Sequence, residues 1–92
     1  MYEITQYSKD QAKKLGVMIK PSTRKNKKID VFDKNLEYIT SIGDNRYKDF
    51  PTYKKEKGEE YANKRREAYK KRHEKDRHTR GTAGYYADKI LW

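Results

Sequence analysis

The chain has 92 residues, of which 33% are hydrophobic and 41% charged, and no cysteine. Its 24 Lys and Arg stand against 14 Asp and Glu, a formal charge of +10. These figures fit one domain with a thin core and exclude a disulfide framework or a thiolate metal site, and they predict a polyanionic partner.

Much of the apolar content is aromatic, with nine tyrosines, two phenylalanines and one tryptophan. Tyrosine buries its ring while its hydroxyl stays near water, which suits a core lying close to the surface. Met1 to Ala12 alternates polar and apolar residues with no apolar h-region, so no secretory signal is expected. No apolar run approaches the roughly 20 residues that span a bilayer.

Ser8 to Gly16 predicts a short helix. Ser8 can cap it, Gln11 stands where a capping box needs it, and Gly16 can close it. Val17 to Ile19 is a short β-favouring run stopped by Pro21, followed by a polar basic loop to Lys28. Ile29 to Phe32 and Leu36 to Ile42 predict a hairpin around the turn Asp33-Lys34-Asn35. Leu36, Tyr38, Thr40 and Ile42 would share one face and Ile39 the other. A lone hairpin is marginal, so Val17 to Ile19 as a third strand, a helix laid across it, or both should support it.

Gly43-Asp44-Asn45 predicts a turn. Tyr47, Phe50 and Tyr53 follow in a loop that folds back on the hairpin. Thr52 or Asp49 can start a long helix, dominated by good helix formers from Lys54 to Arg77. Gly58 predicts a kink or two helices meeting there. Arg80 to Gly84 breaks the helix, and Tyr85 to Trp92 predicts a last short one. The expected fold is α+β: a short N-terminal helix, a β-hairpin or three-strand meander, a long basic helix kinked near Gly58, and a short C-terminal helix. Tyr47, Phe50, Tyr53, Tyr61, Tyr69 and Trp92 should fill the core with Ile29, Val31, Ile39 and Ile42.

The basic helix is the strongest functional signal. Tyr61, Ala62, Arg65, Ala68, Tyr69 and Arg72 share a face that can pack on the hairpin. Lys64, Arg66, Lys70, Lys71 and Lys75 would then project outward and meet phosphates. Arg24, Lys27 and Lys28 form a second cluster, which shares that surface if hairpin and helix pack together. Either cluster could instead act as a nuclear import signal. Tyr85 and Tyr86, with the apolar Ile90, Leu91 and Trp92, are candidates for docking, on the chain's own core or on a neighbouring subunit. Tyr85 or Tyr86 could alternatively stack on unpaired bases.

Metal and catalysis lack support. His73 and His78 sit five residues apart, which turns a helix by about 500° and separates the rings by about 140°. They cannot grip one zinc as an i, i+4 pair does. No nucleophile elbow, P-loop or dinucleotide fingerprint is present. A non-enzymatic protein with no cofactor and no small-molecule substrate is therefore expected. A metal-dependent nuclease is the contrast case.

Several strings carry a resemblance: Tyr7 to Val17, Lys20-Pro21-Ser22, Lys28 to Phe32, Ser41-Ile42-Gly43, Phe50 to Tyr53, Tyr61 to Arg66, Arg72 to Arg77, and Gly84 to Trp92. Together they resemble a family of small basic proteins of unknown function found in large double-stranded DNA viruses and some phages. The closing GYYADKxLW string is its most distinctive part. The resemblance covers nearly the whole chain and implies a viral protein carried in the particle; the absence of cysteine and of a signal segment adds the expectation of a virion or host-intracellular setting, not a secreted one. It brings no catalytic residue. Two functions are expected of such a chain. The first is sequence-independent binding of nucleic acid, DNA before RNA. The alternative is a minor capsid or cement protein that binds acidic shell surfaces.

Overall fold

Thr5, not Ser8, caps the first helix: its hydroxyl accepts the Ser8 backbone N–H, and α1 spans Gln6–Leu15. The computed structural model describes residues 2–92, so Met1, the first residue of the expected N-terminal pattern, lies outside it. Gly16 closes α1 at φ 74°, the left-handed conformation that the sequence predicts there. Ser8 is buried inside the helix, and its hydroxyl donates to the Ile90 carbonyl at 2.9 Å. Gln11 donates to the Lys89 carbonyl at 2.9 Å. The two side chains that read as a capping box instead tie α1 to the C-terminal helix.

Three antiparallel strands follow, β1 (Met18–Pro21), β2 (Lys27–Phe32) and β3 (Tyr38–Asp44), paired in that order. The expected third strand therefore exists, one residue further along. Pro21 costs the sheet little because β1 is an edge strand. The β2–β3 turn is built by Asp33, whose carboxylate accepts the N–H groups of Asn35 at 2.8 Å and Glu37 at 3.0 Å.

Two expectations for β3 fail together. Leu36 belongs to the turn, at φ 64° and 56% exposed, so it is not the strand's first inward residue. Val31 pairs with Thr40 while Phe32 pairs with Tyr38, and the register shift leaves Ile39 as an extra residue. Such a bulge reverses the alternation of faces. Tyr38 consequently meets Ser41, hydroxyl to hydroxyl at 2.7 Å, instead of joining Ile42. Ile39 packs against the core, as its place among the expected core residues requires, although strict alternation put it on the face opposite Ile42.

Ile29, Val31 and Ile42 form one side of that core, and Ile90 and Leu91 of α4 (Ala83–Leu91) form the other. Thr82 caps α4 through the Tyr85 N–H. Of the expected aromatic core, Phe50 is buried and Tyr53, Tyr69 and Trp92 are half-buried. Tyr47 and Tyr61 remain outside, 65% and 43% exposed.

Two helices meet at Gly58: α2 (Phe50–Lys57) and α3 (Glu59–Arg72). The α3 helix ends at Arg72, short of the expected Arg77, and the chain turns back there with the His73 carbonyl accepting the Asp76 and Arg77 N–H groups. The turn brings Asp76 onto α4, where a Cβ at Gly84 would lie 3.2 Å from the Asp76 carbonyl oxygen. Asp49 caps α2 by accepting the Thr52 N–H at 3.0 Å. The same buried carboxylate accepts the Tyr2 hydroxyl at 2.7 Å and the Lys28 ammonium at 3.0 Å. One side chain thus joins the N-terminal segment, β2 and α2.

Two outcomes test this frame. A Cβ at Gly43 (φ 79°) would stand 2.7 Å from Leu91 Cδ1 and 3.1 Å from Lys28 Cβ. Gly43→Ala should cost about 1–3 kcal/mol by denaturant titration, more than Gly16→Ala, whose Cβ meets nothing within 4 Å. Burial alone would raise the Asp49 pKa, but hydrogen bonds from Thr52 and Tyr2 and the Lys28 charge hold it below 3.8. Its contribution is therefore present above that value and lost as pH falls through the folded pKa. The melting temperature should drop on acidification below about pH 4. Asp49→Asn should lower stability at neutral pH by about 3–5 kcal/mol and make the acid dependence shallower.

Candidate nucleic-acid interface

Charge alone does not say which cations face a ligand, because several are used inside the fold. Ala62 is fully buried and sets the inner face of α3. The helical repeat brings Arg66 and Lys70 toward that face, so both depart from the expected outward display. The Arg66 guanidinium lies 3.5 Å from the Phe50 ring centre, and its buried Nε has no hydrogen-bond partner among the described residues. Lys70 binds the fully buried Asp88 carboxylate at 2.8 Å. Lys28 is 5% exposed and held by Asp49. These three are removed from the set expected to contact phosphate.

The other predicted cations remain available. Lys64, Lys71 and Lys75 are exposed, and no carboxylate among the described residues lies within 4.0 Å of them. Lys27 is exposed at the start of β2. Arg24 lies over the Tyr38 ring at 5.6 Å, away from the other clusters.

The docking residues fall mostly inside the chain's own core. Ile90 and Leu91 are buried against the sheet and cannot serve as a free anchor for a neighbour. Tyr85 and Tyr86 are half-buried and pack edge to face at 5.3 Å. Trp92 stacks on Tyr69 at 4.4 Å, the rings 8° from parallel.

That stack lines a cleft of about 460 Å³ between the end of β3 with its following loop and the α3–α4 wall. His73, 4.3 Å from Tyr69, and Tyr53, 6.3 Å from Trp92, continue the column of rings. Burial and the nearby Asp88 and Asp76 push the Tyr69 hydroxyl up to about 12, so it stays protonated at neutral pH. Lys27, Arg65 and Arg72 stand at the cleft with no carboxylate partner among the described residues. Lys48, also at the cleft, is paired with Glu56.

The cleft's own carboxylates are mostly neutralised. Asp44 is forked by Arg46 at 2.7 Å; the Arg46 hydrogen bonds, from side chain and backbone, hold its pKa at about 2. Asp49 is matched by Lys28. Asp76 sits 3.5 Å from the His73 ring nitrogen. The unmatched charge at this site is therefore positive.

Sequence reasoning placed Arg65 and Arg72 on the packed face and so missed them as cleft-lining groups. Their signal was the recurrence Arg65, Tyr69, Arg72 at i, i+4, i+7, which puts two arginines on either side of an aromatic ring. The expected sharing of one surface by the loop cluster and the helix comes down to Lys27 from the loop.

Among the described residues no group of three or more His, Cys, Asp and Glu could hold a metal ion. His73 and His78 each approach a different carboxylate, Asp76 and Glu74. Among the described residues no helix is long and apolar enough to cross a membrane. Comparison with protein-family models, with curated proteins and with solved structures found no match to this chain.

Proposed function

We propose that this chain is a non-enzymatic nucleic-acid-binding protein of viral origin, virion-associated or acting in the host cell, that holds phosphates without reading base sequence. One observation carries the proposal: Lys27, Arg65 and Arg72, from separate parts of the chain, meet at one cleft with no carboxylate of the described residues within 4.0 Å of any of them. Lys64, Lys71 and Lys75 add exposed charge along and beyond α3. Arginine forks onto phosphate oxygens and lysine acts as a point charge, so both groups suit a sugar–phosphate backbone. The alternative, a cement protein on acidic shell surfaces, rests on the same charge, but its apolar anchor is buried at Ile90 and Leu91.

Six unmatched cations set the expected salt dependence. Log affinity should fall against log salt with a slope near −5 for duplex DNA and near −4 for a single strand, measured by anisotropy of labelled oligonucleotides. Replacing Lys27, Arg65 and Arg72 together by alanine should make the single-strand slope shallower by about 2. A slope near zero in the unaltered protein would sink the proposal.

A further inference from the structure

We infer that the cleft takes an unpaired base, so that the protein binds single-stranded nucleic acid in preference to duplex. The inference rests on the phosphate-binding proposal above and gives it a substrate class. A phosphate-only surface needs cations and little else. This cleft has aromatic walls as well. Tyr47, Tyr53, Tyr69 and Trp92 all line it, with Trp92 stacked on Tyr69 and Tyr47 65% exposed.

Exposed aromatic surface costs free energy in water, and a base is flat, polarisable and matched to it. The volume of about 460 Å³ falls within the range of sites that enclose a small ligand. Lys27, Arg65 and Arg72 at the same cleft can meet the phosphates that flank an inserted base. Arg65 already lies over the Tyr53 ring at 5.3 Å, so cation and ring act at one place.

Duplex cannot use the aromatic walls cheaply. Each of its bases is stacked on both faces and paired along one edge, and entry would require unstacking and unpairing first. A single strand presents free ring faces, and aromatic stacking raises affinity by about 5- to 150-fold per base with little sequence preference. The outcome is a binder that ignores sequence yet distinguishes strandedness.

Trp92 is the sole tryptophan, so fluorescence excited at wavelengths that the nine tyrosines do not absorb reports on the cleft. The whole chain would be titrated with oligothymidine, oligouridine, an abasic strand carrying the same number of phosphates, and a duplex of equal length. Anisotropy of the labelled strands gives affinity in parallel. The base-bearing strands should quench Trp92 and bind at least about tenfold tighter than abasic strand or duplex. The ratio of oligothymidine to oligouridine separates a DNA source from an RNA source. Tyr47→Ala, at an exposed ring that the core does not need, should remove much of the preference and leave abasic binding unchanged; Tyr47→Phe should restore it. Equal affinity for all four probes without quenching overturns the base site and leaves phosphate binding standing. Failure of every probe to bind overturns both.

Discussion

The Asp88 side chain has no exposed surface, and the wall of the cleft depends on it. Its carboxylate meets Lys70 of α3 at 2.8 Å, Arg77 of the following turn at 3.6 Å and Lys89 of its own helix at 3.8 Å. Burying a carboxylate costs several kcal/mol unless cations surround it, and removing one partner of a buried pair is strongly destabilising. The cluster therefore fixes α4 against α3 and the turn beyond it. Tyr69, His73 and Trp92 owe their mutual positions to that arrangement. Asp49 plays the matching part on the other side, joining Tyr2, Lys28 and α2.

Both carboxylates draw lysines out of the surface excess. In a chain with only five fully buried aliphatic side chains in its central cluster, ionic staples supplement a small apolar core. The result is a division of labour among side chains of identical chemistry. Lys28 and Lys70 hold the fold, Arg66 covers Phe50, and Lys27, Arg65 and Arg72 face the cleft. Net charge predicted that some such surface exists. It did not say which cations form it, since that is decided by carboxylates elsewhere in the fold.

The elements were largely legible because their ends carry local signals. Gly16, Gly58 and the Asp33 turn are marked by residues whose chemistry acts within a few positions. What failed was long-range. Ser8 and Gln11 look like a local cap, but their partners are the carbonyls of Ile90 and Lys89, 82 and 78 positions away. The Ile39 bulge reversed a face that strict alternation had assigned. On α3 the only fully buried side chain is Ala62, so apolar periodicity hardly defines an inner face. Tertiary partners set it instead: Phe50 draws in Arg66 and Asp88 draws in Lys70. Arg65 and Arg72 then turn to the cleft, where sequence reasoning did not place them.

The proposed binding would be linked to folding by the same geometry. Bringing Lys27, Arg65 and Arg72 to one cleft creates repulsion that the unfolded chain, with its cations far apart, does not feel. Trp92 follows directly on the buried Ile90 and Leu91, so the stacked ring moves only if the end of α4 moves. A polyanion in the cleft, as proposed, would relieve the repulsion, and a ligand that binds the folded state alone raises stability by mass action. High salt acts in two directions, screening the repulsion in the free protein while weakening the bound state. The tyrosines fit this compromise. They cover a thin core with large rings, keep hydroxyls at its edge, and leave part of each ring beside the cations. An aliphatic core of equal area would supply stability but no stacking surface beside the positive charge.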